Sequence, residues 1–226
     1  MSYSSVDDLT GDRKPRRMPS RELEALEIRV LGSLAEKQMS TPEYYPLTLN
    51  ALIAACNQKS NREPVMEASE AEVQRALDSL QEEKLAWKVV GGRAVRWEHN
   101  LDTALQLDPA SKAILTLLFL RGAQTPGELR GRSDRLHPFG SISEVEEMLQ
   151  RLAASPDPLV REIARRPGQK ESRWMHLLGS APHPDPLPAS GERGHDRPIA
   201  ARVQRLEEQI TALLEEMNAL KAKLGE

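Results

Sequence analysis

A mainly α fold carrying small β hairpins, an α+β chain in which one supersecondary unit is used twice, is predicted by three observations. Apolar stripes at helical spacing, opened by capping sequences, recur along residues 20–178. Each set of three stripes is followed by two short β-prone runs around a glycine-containing turn. Beyond a proline-rich stretch, a heptad repeat closes the chain.

In the first set, residues 20–107, Pro19-Ser20 is expected to open a helix that runs to Gln38, with Leu23, Leu26, Val30, Leu31 and Leu34 on one buried stripe. Thr41-Pro42 stops it. Leu47, Leu49, Leu52, Ile53 and Cys56 follow as the buried face of a second helix, and a long polar turn leads to Pro64. Ser69-Glu-Ala-Glu72 is a capping box, and Val73, Ala76, Leu77 and Leu80 line one face of the third helix behind it. Residues 86–90 and 93–97 then read as a hairpin with Gly91-Gly92 as a two-residue turn. That register would set Arg96 across from Trp87, where a guanidinium can stack on the indole. Three helices and a hairpin in this order define a winged helix.

The second set, residues 108–178, repeats the order. Asp108-Pro109 supplies an N-cap with proline in the first turn of a helix through Ile114, Leu117 and Leu118. Thr125-Pro-Gly-Glu128 opens a short second helix, and Ser143-Glu-Val-Glu146 is expected to cap the third, with Val145, Leu149 and Leu152 buried. Residues 159–166 and 171–178 around Pro167-Gly168 form the second hairpin. The expectation is two tandem winged-helix modules.

The flanks differ in kind. Residues 1–19 are polar, with a basic cluster of Arg13, Lys14, Arg16 and Arg17, and read as a disordered arm or a phosphate-contacting one. Residues 179–198 hold prolines at 182, 184, 186 and 188 and read as an extended linker. In residues 199–226 the seam Ile199, Val203, Leu206, Ile210, Leu213, Met217, Leu220 and Leu224 alternates steps of four and three, a coiled-coil helix. Branched residues at a and leucines at d favour two parallel strands, and Arg202 with Glu207, like Glu216 with Lys221, makes an attractive interchain pair. A homodimer is expected; docking of this helix on its own domains is the alternative.

Composition excludes several classes. The net charge of −3 exerts no bulk pull on nucleic acid or anionic membrane, so any such binding depends on local patches. The largely apolar run 113–120 is far shorter than the roughly 20 residues a membrane span needs. No signal-peptide core opens the chain, and a cytoplasmic location is expected. A lone cysteine, Cys56, forbids an internal disulfide or a cysteine-based zinc cluster and reads as a small core residue. The five histidines (99, 137, 176, 183 and 195) share no ligand or triad spacing, and no phosphate-binding glycine loop is present. No catalytic residue, cofactor or metal is expected.

Residues 23–178 resemble the YceH family of uncharacterised bacterial proteins, through the words TPEYYPLTLNALIAACNQKSNREPVM, LLFLRGAQTPGELRGRSDRLH and RWMHLL. The resemblance implies a tandem winged-helix fold and a regulatory or DNA-associated role. The spacer at residues 180–198 looks like an addition to that pattern.

Function follows from the fold and is complicated by charge. A winged helix offers its third helix to the major groove of double-stranded DNA and its hairpin to phosphates. Here the third helices carry Glu70, Glu72 and Asp78, and Glu144, Glu146 and Glu147. Positive or polar groups suited to DNA are Lys59, Arg62, Gln74, Arg75, Arg93, Arg96, Arg165 and Arg166. The expected role is therefore a non-enzymatic, dimeric, DNA-associated transcriptional regulator gripping phosphates from its hairpins. The alternative is a protein-interaction scaffold without direct DNA binding, a layout similar to tandem winged-helix dimers of the chromosome-segregation kind.

Overall fold

The protein is described by a computed structural model for residues 16–91, 94–154, 156–165 and 171–179. The heptad seam 199–226, the linker from residue 180, and the arm up to residue 15 lie outside the described residues, as do Arg93 and Arg166. Seven helices and two small antiparallel sheets are present among the described residues, an α+β architecture.

Helix α1, Ala25–Ser40, starts five residues later than the opening expected at Ser20. Leu23 is not helical: it forms a parallel bridge with Gly179, and its N–H donates to Leu178 C=O at 2.9 Å. The Glu27 carboxylate accepts from Glu24 N–H at 2.7 Å and closes the helix start instead. Nor does α1 bury only one stripe. Residues 27–35 are all buried, because α2 (Leu49–Cys56) and α3 (Glu70–Glu82) pack against it, and so does α5 (Pro109–Arg121). Helix α5 is enclosed in the same way over residues 113–120. A helix wrapped on all sides loses its amphipathic signature.

The two helices approach closely at Gly32, where a Cβ would stand 2.9 Å from both Leu120 Cδ2 and Phe119 Cβ. Buried residues from Leu23 to Leu178 form one continuous cluster, with Trp97, Leu77, Phe119 and Leu149 in the same core.

Leu47 is not on α2. Leu47–Thr48 forms strand β1, and the Thr48 hydroxyl caps α2 by accepting from Ala51 N–H. Strands β2 (Ala86–Val89) and β3 (Arg96–His99) complete a sheet of order β1-β3-β2. Val89 pairs with Arg96 and Trp87 with Glu98, so residues 90–95 separate the paired ends rather than a two-residue turn. The register is shifted by two from the expected one, which keeps every side chain on its expected face. Leu47 pairing with Trp97 and Tyr45 Oη accepting from His99 N–H at 2.7 Å fix β3 from its other side.

Short helix α4, Leu101–Ala104, joins the halves. In the second half the Asp108 and Thr125 caps open α5 and α6 (Pro126–Ser133) as expected. Helix α7, Ile142–Ala153, has its cap two residues before the expected one: Ser141, not Ser143, accepts from Glu144 N–H, and Glu144 accepts from Gly140 N–H at 2.6 Å. Strands β4 (Val160–Ile163) and β5 (Arg173–His176) form the second sheet. Arg16 donates to the Leu105 and Asp157 carbonyls and Arg17 N–H to Ala104 C=O, which ties residues 16–17 to both halves.

Candidate nucleic-acid interface

The exposed face of α3 is set by its cap. Ser69 and Glu72 exchange hydrogen bonds, which hold the Glu72 carboxyl below the usual carboxylate range. Glu70, Glu72, Asp78 and Glu82 are exposed beside a single exposed cation, Arg75. Gln74 donates to Asp78 Oδ1 at 2.8 Å, and Lys88 lies 3.6 Å from the same carboxylate. On α7, Glu144, Glu146 and Glu147 are exposed, while Arg151 is drawn to Asp108 at 3.1 Å. Glu146, Glu147 and Glu162 line a groove floored by Trp174. Both third helices present carboxylates outward.

Among the described residues of the hairpins, Lys88, Arg96, Arg161 and Arg165 are exposed. Lys88 Nζ, not Arg96, lies over an indole, 5.0 Å from the Trp97 ring. Arg96 is exposed and donates to Pro46 C=O at 2.8 Å. Arg165 is exposed at the end of β4. Arg173 is engaged by Glu128 at 3.1 Å and by Ala123 C=O at 2.8 Å.

The long connection from α2 to α3 is built by side chains buried beneath it. Asn57 accepts from Ala68 N–H and donates to Ala68 C=O, each at 2.8 Å, pinning the two ends of residues 57–68 together. Arg62, taken from the sequence as an exposed phosphate contact, is only 4% exposed. Its guanidinium grips Glu36 at 2.6 and 3.1 Å, and its Nε donates to Ala55 C=O at 3.0 Å. Arg29, 1% exposed, donates to Cys56 C=O at 3.1 Å and Pro64 C=O at 2.6 Å. Two guanidiniums thus satisfy carbonyls that the C-terminus of α2 leaves orphaned, where positive charge also suits the helix dipole. Burial, with Arg62 nearby, pulls the Arg29 pKa down to about 10. The polar look of NQKSNRE concealed this: the signal is a partner, Glu36, one helix away. Lys59 remains exposed on the turn.

The turn does not stand free of the second half. Glu63 N–H donates to Leu120 C=O at 2.8 Å, and Arg121 donates to Asn61 Oδ1. Between the turn, the C-terminal end of α1 and the C-terminal ends of α5 and α6 lies a cleft of about 1030 Å³. Lys37, Lys59, Arg121, Arg132 and Arg135 line it, against Glu36 and Asp134. Burial, with repulsion from Arg132 and Arg62, holds the Arg121 guanidinium below the usual arginine range. Of the six described residues among those expected to meet DNA, Lys59 alone lies here; Arg75 lines a separate pocket beside Glu24, Glu27 and Glu72. Sequence reasoning missed Arg121, Arg132 and Arg135 as partners of Lys59, since no local pattern brings them together.

Cys56, His99 and His176 are buried. Burial pushes the Cys56 thiol up to about 11, far from the thiolate range needed for nucleophilic chemistry. His99 accepts from Leu101 N–H at Nδ1 and so donates from Nε2 to Gln38 Oε1 at 2.9 Å; burial pulls its pKa to about 4. His176 packs edge-on against Phe119, with ring centroids 5.1 Å apart, and burial pulls it to about 4 as well. Among the described residues no group of His, Cys, Asp and Glu is arranged to hold a metal, and no helix is long and apolar enough to cross a membrane.

Comparison with known proteins places these features in a wider set. The family model described as protein of unknown function, DUF480, matches residues 23–169. A UPF0502 protein of Geobacter metallireducens is 50% identical over 196 residues, covering 86% of this chain and 87% of that protein. A UPF0502 protein of Burkholderia pseudomallei is 47% identical over 207 residues, covering 92% and 88%. The UPF0502 protein YceH of Salmonella paratyphi C is 44% identical over 212 residues, covering 91% and 99%.

Proposed function

The chain belongs to the DUF480 family of proteins of unknown function, and we propose for it the role of a non-enzymatic, dimeric tandem winged-helix scaffold that holds other proteins. The observation carrying this reading is the outward carboxylates on both third helices. A DNA-reading winged helix brings that surface to the phosphates. Two like charges about 4 Å apart repel by roughly 1 kcal/mol in bulk water and about 4 kcal/mol at the lower dielectric of an interface. Several such contacts per module oppose binding at the third helices, and Arg62 is already committed to Glu36. The tandem winged-helix assignment, with modules at residues 20–107 and 108–178, is supported by the repeated order of three helices and a hairpin. The dimer rests on the seam from Ile199 to Leu224.

A DNA-associated regulator is the second reading, favoured by the exposed Lys59, Arg75 and Arg96 on one half. A titration with a 30-base-pair duplex in 50 mM salt separates the two. The scaffold reading expects no binding at micromolar protein, and measurable affinity only after Glu146→Lys with Glu147→Lys. Wild-type binding that falls steeply with salt, and is weakened by Arg75→Glu with Arg96→Glu, would overturn it in favour of DNA.

A further inference from the structure

We propose that the cleft between the α2–α3 turn and the ends of α1, α5 and α6 is a binding site for a phosphorylated small molecule of nucleotide size, gripped by Lys59 from the first half and Arg135 from the second. Five cations line the cleft against two carboxylates. One of the two, Glu36, is already matched by the buried Arg62 at 2.6 Å, which leaves Asp134 as the lining carboxylate that opposes them; Glu128, outside the lining and 3.7 Å from Arg132, is shared with Arg173 at 3.1 Å. Three helix C-termini border the site and subtract about half a charge each, so the net field is roughly +2 to +3. One or two phosphoryl groups, each about −1.5 to −2 when singly esterified, match that field.

The cations are not equally available. Arg121 is spent on Asn61, and Arg132 donates to Gln124 Oε1 at 2.7 Å and lies 3.7 Å from Glu128. Lys37 lies 3.5 Å from Glu36. Lys59 and Arg135 are exposed and have no ion pair within the described residues. They are the pair free to take a phosphate, and the others supply field. The walls are fixed in advance by the Arg62–Glu36 pair and the Glu63–Leu120 hydrogen bond. Preorganisation of this kind lowers the ordering cost of binding. At about 1030 Å³ the cleft sits at the upper end of small-ligand sites. The site is independent of whether the third helices meet protein or DNA.

The test is calorimetric titration of the full chain at low salt, without divalent cations, using ATP and inorganic tripolyphosphate as probes and sulfate at matched ionic strength as the reference anion. One site per chain is expected for both probes, at least tenfold tighter than for sulfate. Lys59→Ala with Arg135→Ala should weaken both probes tenfold or more with an unchanged melting temperature, and Arg161→Ala, outside the cleft, should not. No heat at millimolar probe, sulfate binding as tightly, or an affinity untouched by the double variant would overturn the proposal. So would binding of duplex DNA, weakened by the double variant, with neither small probe bound.

Discussion

Arg62→Ala distinguishes a surface ligand from a structural strut. The wild-type side chain makes two hydrogen bonds to Glu36 and one to Ala55 C=O, at 4% exposure. Removing one partner of a buried ion pair costs about 3–5 kcal/mol when the other charge stays behind unpaired; here Lys37, 3.5 Å from Glu36, holds the loss toward the lower part of that range. Relief of the Arg29–Arg62 repulsion that depresses Arg29 offsets part of this, so a net loss of about 3–4 kcal/mol is expected. At about 2–4 °C per kcal/mol for a body of this size, the melting temperature falls by roughly 6–16 °C. Equilibrium urea unfolding followed by tryptophan fluorescence, to which the buried Trp97 and Trp174 contribute, reads the loss directly. Glu36→Gln combined with Arg62→Met should cost at least about 1 kcal/mol less than the sum of the single variants, since no charge is then stranded. A loss under about 1 kcal/mol for Arg62→Ala, together with weaker DNA or anion binding, would refute the structural role and restore Arg62 as a contact.

Two further outcomes follow from the same core. Native His99 and His176 titrate near 4 and their unfolded forms near the ordinary 6.5, so between these values the unfolded chain binds more protons. Stability is therefore full above pH 6.5 and falls as pH drops toward 4, by about 1.4 kcal/mol per pH unit for each histidine; His176→Phe should remove half of that slope in urea melts from pH 7 to 4.5, and an unchanged slope would show that His176 is not the titrating group. Gly32→Ala should destabilise by about 1–3 kcal/mol despite the better helix propensity of alanine, because its methyl meets Leu120 and Phe119 at 2.9 Å; a stabilised variant in thermal melts would mean that α1 and α5 separate freely.

Local signals survived the comparison of sequence with structure, and long-range ones did not. Ser69, Asp108 and Thr125 cap the helices they were expected to cap, since a cap needs only residues three apart. Ser141 and Ser143 both precede a glutamate by three, and the earlier start adds the Gly140–Glu144 bond. The Gly91-Gly92 pair suggested the shortest turn, but β1 and Tyr45, some fifty residues upstream, set the register. Leu23 lay on the helical stripe, yet its partner is Gly179. In the candidate site, Lys59 was identified as a cation in a polar turn, whereas its neighbours across the cleft come from the other half of the chain. Arg62 failed for the same reason: a guanidinium in a polar word reads as solvated until Glu36 is seen beneath it.

The bridge from Leu23 to Gly179 also bears on how the protein is made. Synthesis delivers α1 first, but one of its flanks is covered only by α5, and Leu23, just ahead of the helix, is tied down only when Gly179 arrives. At about 5–20 residues per second, roughly 7–30 s pass between completion of α1 and emergence of residue 179. Until α5 is complete at Arg121, the nascent first half carries an apolar flank with nothing yet to cover it. Pairing of Gly179 with Leu23 then joins the end of the second half to the start of the first.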